Sequence, residues 1–441
     1  MHLKRVGFVL PAMGIYGGIN IVLNWAAILA KCGYHIDLIL PSSAVGARVP
    51  FLSEQDGRLL HQISERDARR HHYHAVLATI WPGIAQLVEL HADHYAWFMQ
   101  AYEGQFLELN TPAQADFDEL VASELNVVTT AHWLRQHILR HYNFEPKQTS
   151  CVVSGLDKSL WKPVPRDPLR PGGRPVHFLV EGPPADPRKN VARTIRLLEG
   201  LGLSYTWVGS AVDRSLVGGN CRGVQEKVPY ERMPQVYGSA DVLVKASNSE
   251  GMFGPPLEMF ATGGTAAVWH VQGAEEYMTD QYNSLLVPMN SWSRLAEAVL
   301  ELADDPHRVQ TLQENALATA EAWPTWEEQA DQIVAAVESL VPFGRVSLVR
   351  HLAKNQFRPI IHSMAASIES QRAEAEAQRA RRAEAELARF LNTRAWRFVQ
   401  VLQRARRRLA PDGSRRWSHL RRTGRVVLHA GRRLRRRDHA A

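Results

Sequence analysis

Two glutamates, Glu250 and Glu258, lie eight residues apart in the glycine- and proline-containing segment 247–265. A strand is predicted at 241–245, around the apolar residues 242–244, and it would deliver Glu250 to a tight turn. The prolines at 255–256 stand where the first turn of a helix accepts proline. Glu258 would then lie inside that helix, near its start. Carboxylates beside such a turn can accept hydrogen bonds from sugar or ribose hydroxyl groups.

The turn itself predicts a site for an anion. The backbone N–H groups of Gly251, Met252 and Phe253 are expected at the N-terminus of the helix, where unpaired N–H groups and the helix dipole favour negative charge. One short element could therefore hold a phosphate, a pyranose and a ribose together. The spacing alone is a weak signal, because two glutamates at this distance also occur by chance in many helical proteins.

The elements that must position this turn follow a repeating order of strands and helices. A strand at 5–10, a glycine-bearing loop at 13–18, a helix at 19–31 closed by Gly33, and a strand at 35–40 form a βαβ unit. Further strands are predicted at 74–79, 95–100, 125–129 and 149–153, with a helix at 132–142. This alternation indicates a parallel sheet covered by helices on both faces.

A second series begins after segment 162–175, which is rich in proline, glycine and arginine and is typical of a linker. Its predicted strands are 176–181, 204–208, 241–245, 265–269 and 284–287, and its predicted helices are 190–199, 230–238, 291–304, 306–322 and 327–341. The two series predict an α/β protein with two Rossmann-like domains that face each other across a cleft. The expected boundaries are 1–157 and 158–323 for the domains, 324–345 for a closing helix and 346–441 for a helical tail.

Segment 247–265 resembles the Glu-x7-Glu signature of the family 4 retaining glycosyltransferases, which have the GT-B fold. The similarity includes the strand before it at 240–247 and the first glycine loop, and it extends in the family's order over about residues 3–340. Segment 97–103 is most similar to the rhamnosyltransferase branch that builds bacterial surface polysaccharides. The resemblance implies that the first domain binds an acceptor and that the second binds a nucleotide-sugar donor.

The resemblance assigns roles to the residues of the turn. Glu250 would hold hydroxyl groups of the donor sugar and act in catalysis, and Glu258 would bind the ribose. The backbone of Gly251, Met252 and Phe253 would meet the sugar and the diphosphate.

Two further pairs of residues are expected at the donor phosphates by the same resemblance. Gly17 and Gly18 would let the first loop approach closely, because a Cβ atom there would intrude. Lys189, together with Arg188, would place positive charge against the diphosphate as the glycosidic bond breaks. Taken alone, the glycines could form an ordinary turn, and the basic residues could be an exposed pair.

The chain departs from the family pattern at two positions. The family's arginine directly after the strand glycine is absent, since Gly182 is followed by Pro183, and Arg188 is the candidate to substitute for it. The acceptor domain also lacks the histidine that many relatives carry after the fourth strand. Glu103 or Gln100 is the candidate on this acceptor and sugar side.

The implied reaction retains the anomeric configuration and needs no metal ion. No Asp-x-Asp follows a strand as it does in metal-dependent transferases, and no compact cluster of histidines and aspartates appears. Lys189, the loop backbone and helix dipoles would take the place of a cation. We expect no cofactor other than the nucleotide diphosphate sugar that is the substrate.

Composition bears on where the protein works. Three cysteines without paired spacing argue against a disulfide framework or a zinc ribbon, and the N-terminal apolar run is too short for a signal peptide. No apolar stretch reaches the roughly 18–20 residues that a membrane-spanning helix needs. We therefore expect a cytoplasmic protein.

The net charge is unevenly distributed. Residues 370–441 contain 21 arginines, no lysine and six acidic residues, which gives them a net charge of +15. Because the whole chain has a net charge of +7, the first 369 residues have a net charge of −8. Within 392–441, apolar side chains and tryptophans recur at helical spacing among arginines, which is typical of helices that lie in membrane interfaces. We expect this segment to dock on an anionic membrane surface at the inner face of the membrane, although a protein partner or RNA would also suit it.

The helix predicted at 367–391 carries opposite charges at helical spacing and a mostly alanine seam. It is either a single solvated helix or a weak coiled coil through which the protein self-associates. The acidic body gives no reason to expect a nucleic acid partner.

Four functions remain to be weighed. The first is a glycosyltransferase that moves a sugar, with rhamnose a candidate, onto a glycan or lipid-linked acceptor in the synthesis of cell-surface polysaccharide such as lipopolysaccharide. The second is a non-catalytic sugar-nucleotide-binding scaffold subunit of a polysaccharide assembly complex, and the third is an epimerase on the same double scaffold. A nicotinamide dehydrogenase is disfavoured because the first loop lacks Gly-x-Gly-x-x-Gly.

Overall fold

The computed structural model describes residues 3–14, 17–107, 114, 117, 125–142, 144–169 and 173–342. The predictions for the tail at 346–441, including the helix at 367–391 and the membrane-docking segment, lie outside these residues. No α-helix in the described ranges is both long enough and apolar enough to cross a bilayer.

The first domain is built on a seven-stranded sheet in which every pair of neighbours is parallel, in the order β3-β2-β1-β4-β5-β6-β7. Its strands are β1 Arg5–Val9, β2 His35–Leu40, β3 Leu60–Ser64, β4 His72–Ala78, β5 His91–Met99, β6 Asn126–Thr129 and β7 Thr149–Cys151. Strand β1 lies inside the sheet, and after Arg5 its residues are buried and carry no polar side chain, as expected for a strand covered on both faces.

Five helices belong to the described part of this domain: α1 Gly17–Lys31, α2 Glu54–Gly57, α3 Glu65–Ala68, α4 Ile84–Leu87 and α5 His132–His141. The longest, α1, buries one apolar face against the sheet, with Val22, Leu23 and Trp25 fully enclosed. This packing fixes the start of α1 at the carboxyl end of β1, where ligands bind in parallel α/β sheets.

The second domain is built on a six-stranded parallel sheet in the order β10-β9-β8-β11-β12-β13. Its strands are β8 Phe178–Glu181, β9 Tyr205–Gly209, β10 Cys221–Glu226, β11 Val242–Lys245, β12 Thr265–His270 and β13 Ser284–Pro288. The central pair β8 and β11 is nearly all apolar, and each of the two strands ends in a charged residue.

The remaining helices are α6 Val191–Leu201, α7 Met233–Gly238, α8 Gly254–Ala261, α9 Trp292–Asp304, α10 Pro306–Ala322 and α11 Ala330–Glu338. The first five surround the second sheet. Helix α11 returns to the first domain, where Ile333 and Val337 are buried in the same core as Trp25 of α1. The chain therefore crosses between the two domains twice.

The predicted α/β fold with two Rossmann-like domains is confirmed, but some details were wrong. Gly17 and Gly18 are the first residues of α1 rather than part of the preceding loop. Strands β3 and β10 were missed, because these edge strands are only partly buried and carry polar residues.

Segment 162–175 was expected to be an interdomain linker, and its described residues contain neither helix nor strand. It is nevertheless packed against the second domain. Arg166 donates to the carbonyl oxygens of Ala240 and Thr262, and Leu169 is buried in the core of the second sheet.

Candidate active site

An ion pair between Lys189 and Glu250 lies at the carboxyl edge of the second sheet. Lys189 Nζ donates to both carboxylate oxygens of Glu250, at 2.7 and 2.8 Å. The Glu250 side chain is 9% exposed and that of Lys189 is 22% exposed, so the pair is largely withdrawn from water while one side stays accessible. The structure thus brings together the two residues expected to act in catalysis.

The two charges stabilise each other against burial. Burial opposes ionisation of both groups, but the combined attraction of Glu250, Glu181 and Asp186 outweighs it and raises the pKa of Lys189. Likewise, burial favours the neutral form of Glu250, whereas Lys189 and then Lys245 lower its pKa below the usual value. Both groups are therefore charged at neutral pH.

Local backbone structure fixes Lys189 in place. Asp186 caps a short 3₁₀ turn by accepting from the Arg188 N–H, and Asn190 ends it in the left-handed region at φ 51°. The Asn190 side chain donates to the carbonyl of Ala246 at 2.8 Å, and the Asn248 N–H donates to the carbonyl of Arg188. The loop that carries Lys189 and the loop that carries Glu250 are thus joined by hydrogen bonds.

Arg188 points its guanidinium at Asp186, with Nε and Nη2 at 2.9 and 2.8 Å from the two carboxylate oxygens. Its side chain is 45% exposed. The proposed role of Arg188 at a diphosphate stays a prediction, and this role would require the pair with Asp186 to open or to be shared.

The turn after Glu250 contacts the first domain directly. A Cβ atom at Gly251 would lie 1.7 Å from the Gln100 carbonyl oxygen, so no side chain fits there in this arrangement. Trp133, at the start of α5, donates its indole N–H to the Gly251 carbonyl at 2.7 Å, and its backbone N–H donates to Glu276 at 2.9 Å. The donor-side turn is therefore held against the first domain.

The other residues of the turn are packed rather than free. Phe253 is fully buried immediately before α8, and its carbonyl accepts a hydrogen bond from Tyr277. Met252 is partly buried and contacts the apolar cores of both domains. No side chain caps the N-terminus of α8, where Pro255 and Pro256 carry no backbone N–H and the Gly254 N–H donates to the Met252 carbonyl at 2.9 Å.

Glu258 occupies a different environment from Glu250. Burial, and then repulsion from Glu181, raises the pKa of Glu258 to about 8, while a hydrogen bond with Tyr237 and the charge of Lys245 oppose the rise. A carboxyl group in this state can donate a hydrogen bond as well as accept one, and both suit a ribose hydroxyl.

The glycine pair at the start of α1 lies beside Gln100. A Cβ atom at Gly18 would be 2.9 Å from Gln100 Oε1, whereas one at Gly17 would meet nothing within 4 Å. Gln100 Oε1 is buried and accepts no hydrogen bond within the described residues. The start of α1, Gln100 and the Gly251 turn therefore meet at one place.

Glu103, the other candidate on the acceptor side, accepts a hydrogen bond from the backbone N–H of Trp81 at 2.7 Å. This contact holds together two loops of the first domain. The role of Glu103 toward a sugar stays a prediction, and Gln100 is the closer of the two to the glycines and to the turn.

Sequence reasoning missed three side chains of this site. Lys245 is buried at the end of β11 and contacts Glu181 at the end of β8. A lysine that closes an apolar strand was a signal that could have been used. Trp133 could not have been found, because it lies 118 residues from its partner Gly251 and in the other domain.

Comparison with known proteins adds to this geometry. Residues 219–319 match the family model described as glycosyl transferases group 1. The chain is 24% identical over 255 residues to D-inositol 3-phosphate glycosyltransferase of Segniliparus rotundus, and the alignment covers 53% of this chain and 56% of that relative. The chain thus spans little more than half the length of this curated relative.

Solved structures show the same fold at low sequence identity. HepE of Anabaena in complex with UDP and glucose superimposes with a TM-score of 0.60 at 14% identity, over 76% of this chain and 100% of that one. Sucrose-phosphate synthase of Thermosynechococcus elongatus gives a TM-score of 0.60 at 16% identity, over 76% and 99%. The described part of the chain therefore has the GT-B fold of glycosyltransferases, and within its second domain it carries a segment similar to the glycosyl transferases group 1.

Proposed function

We propose that the protein is a glycosyltransferase that moves a sugar from a nucleotide diphosphate donor to a glycan or lipid-linked acceptor. The observation that carries this proposal is the buried Lys189–Glu250 pair beside a turn that contacts both domains. A cation held by a carboxylate at the mouth of a parallel sheet can exchange its partner for a phosphate, and the carboxylate then becomes free to accept sugar hydroxyl groups.

In this proposal each half of the site performs one task. Glu250 accepts hydroxyl groups of the donor sugar, and Glu258 binds the ribose. Lys189 and the backbone N–H groups of Gly251, Met252 and Phe253 stabilise the charge that develops on the leaving diphosphate. The reaction proceeds with retention of configuration and without a metal ion, so that EDTA leaves the rate unchanged.

The donor can be identified before the acceptor is known. A ligand that binds the folded state stabilises it by RT ln(1 + [L]/Kd), about 2.7 kcal/mol at a hundred times Kd. A thermal-shift panel of nucleotide sugars is the first experiment, and it includes UDP-glucose, which is present in a solved complex of HepE. dTDP-rhamnose belongs in the panel because of the similarity of segment 97–103 to rhamnosyltransferases.

Catalysis is tested by Lys189→Met, Glu250→Gln and the double variant. We expect each to lower transfer or slow donor hydrolysis by about 10²–10³-fold, the usual cost of losing one charge-stabilising group. Because Lys189→Met leaves a buried carboxylate unpaired and can destabilise the fold, the double variant serves as the folded comparison. Lys147→Met, which breaks the exposed pair with Glu145, should leave the rate unchanged.

The same assay separates the enzyme from the scaffold alternative. A wild-type protein that binds a nucleotide sugar but neither transfers nor hydrolyses it, with every added acceptor fraction, would favour the scaffold. Unchanged activity in the double variant would refute the assignment of the site.

We further propose a role in the synthesis of a surface polysaccharide or lipid-linked oligosaccharide, at the cytoplasmic face of a membrane. The support is the composition of residues 392–441, in which arginines alternate with apolar residues and tryptophans. Anionic lipids attract each nearby basic residue by about 1 kcal/mol.

A further inference from the structure

A second buried ion pair lies in the floor of the proposed donor site. Lys245, the last residue of β11, is 1% exposed, and its Nζ contacts a carboxylate oxygen of Glu181, the last residue of the neighbouring strand β8. The same ammonium lies 3.4 Å from the Glu181 carbonyl oxygen. A buried ammonium is costly unless it is paired, so a lysine that follows three apolar strand residues needs a reason beyond packing.

The pair stands where both site loops begin. Strand β8 leads through Gly182 into the loop with Lys189, and β11 leads into the segment with Glu250 and Glu258. The pair also acts on those groups electrostatically, because Lys245 lowers the pKa of Glu250 and opposes the rise at Glu258, whereas Glu181 raises the pKa of Glu258.

Charge balance explains why a second cation is needed. Since the pKa of Glu258 is about 8, the charged groups of this floor near neutral pH are two carboxylates, Glu181 and Glu250, and two lysines, Lys189 and Lys245. A nucleotide diphosphate sugar adds further negative charge. Without Lys245, two carboxylates and a diphosphate would face Lys189 as the one remaining lysine of this group.

We propose that Lys245, held by Glu181, is a positioning residue of the donor site, whose charge offsets the hydroxyl-binding carboxylates so that an anionic donor can enter. This inference rests on the proposed function for its ligand. Its electrostatic part, the control of Glu258 by the pair, can be measured in the protein without donor.

The groups that face Glu258 come from several elements. Beyond Glu181 and Lys245 they are Tyr237 on α7, Tyr230 just before that helix, and Tyr277. The pKa of each tyrosine is raised by burial, so all three stay neutral between pH 5 and 9. The Glu181–Lys245 pair is therefore the charged neighbour that can shift Glu258 in this range.

The test is the pH dependence of thermal stability in the donor-free full-length protein. Since the folded-state pKa of Glu258 is raised, its contribution to stability is fully present below the unfolded pKa and is lost as pH rises through about 8. Lys245→Met should move this loss to higher pH, and Glu181→Gln should move it to lower pH, each by about one unit. Glu258→Gln should abolish it and thereby identify the transition.

Donor affinity provides the second readout. With UDP as the probe at pH 7, Lys245→Met should weaken binding at least about tenfold, and Lys245→Arg should restore most of it. Lys4→Met breaks the pair with Glu338, which is far more exposed, and should change neither readout. If Lys245→Met does not fold, Glu181→Gln still tests the shift of the transition to lower pH, and Lys245→Arg, which keeps the charge, should match the wild type.

Two outcomes overturn the inference: equal shifts of the same sign in Lys245→Met and Glu181→Gln, or unchanged UDP affinity in Lys245→Met. A different result would count against the proposed function alone: the two variants shift the pH of the transition in opposite directions, but no nucleotide sugar stabilises the wild type. In that case the control of Glu258 by the Glu181–Lys245 pair would stand.

Discussion

Glu250 and Glu258 are the same residue type eight positions apart, yet their surroundings drive their pKa values in opposite directions. Glu250 is paired with Lys189, which lowers its pKa, whereas Glu258 is buried near Glu181, and its pKa rises to about 8. Divergent pKa values in neighbouring carboxyl groups are a feature of functional sites. The sequence motif identifies both glutamates, but the protonation state of each one depends on its neighbours in the structure.

Among the glycines that the structure describes, Gly251 leaves the least room for a Cβ atom. In Gly251→Ala the new methyl group would collide with backbone atoms of Gln100 in the other domain, which no change of side-chain rotamer can relieve. We expect a loss of about 1–3 kcal/mol of stability, as for other overpacked sites, together with separation of the two domains. Thermal unfolding and the radius of gyration from small-angle scattering, both without donor, measure these effects.

Gly254→Ala is the matched control, because a Cβ atom at Gly254 meets nothing within 4 Å. It changes the same segment three residues further on, at the first residue of α8, and should leave both measurements nearly unchanged. Similar losses in the two variants would mean that flexibility of the turn, rather than the contact with Gln100, explains the result.

Among the secondary structure elements, those that meet at the site come from distant parts of the chain. Helix α5 of the first domain carries Trp133, whose indole N–H holds the Gly251 carbonyl of the turn before α8. The backbone N–H of Trp133, on the first turn of α5, donates a hydrogen bond to the carboxylate of Glu276. One helix start thus anchors two loops of the opposite domain.

Trp133→Phe keeps an aromatic ring but removes the hydrogen bond to Gly251. We expect a loss of about 0.5–1.5 kcal/mol of stability and a higher donor KM with little change in kcat, because the turn would lose its anchor and not its reacting groups. Trp25→Phe is the comparison, since the indole N–H of Trp25 lies in the core of the first domain and has no hydrogen-bond partner among the described residues. That variant should lower the melting temperature without changing KM, and a KM effect in both would contradict the anchoring role.

The elements that could be predicted from the sequence are those whose pattern lies within a short stretch of the chain. The buried central strands, such as β1 and β11, were predicted because an apolar run between turn residues is a local pattern. Edge strand β10 was missed because it is paired on one side and keeps polar residues, which a local pattern cannot separate from a loop. The pair of Lys245 with Glu181 depends on β8 and β11 being neighbours in the sheet, and the order of the strands cannot be inferred from a local sequence pattern.

For the whole molecule, the most uneven property is charge. The first 369 residues carry −8 and the remainder carries +15, so the acidic two-domain body is joined to a basic segment that must find an anionic surface elsewhere. A body that repels anionic membranes and a segment that binds them would together orient the protein. The proposed cleft would then face acceptors held in the lipid layer.

This orientation can be tested with vesicles. In full-length protein, replacing the four arginines Arg404, Arg406, Arg407 and Arg408 by glutamine should weaken binding to phosphatidylglycerol vesicles by roughly a thousandfold, at about 1 kcal/mol for each charge near the surface. Removal of residues 392–441 should release the protein completely. Neither change should alter transfer to a water-soluble acceptor, because both leave the two domains intact.

Co-sedimentation at low and high salt measures the binding, with phosphatidylcholine vesicles as the uncharged control. If the truncated protein still sediments with anionic vesicles, the membrane contact lies on the acidic body, and the basic segment serves a protein or RNA partner instead.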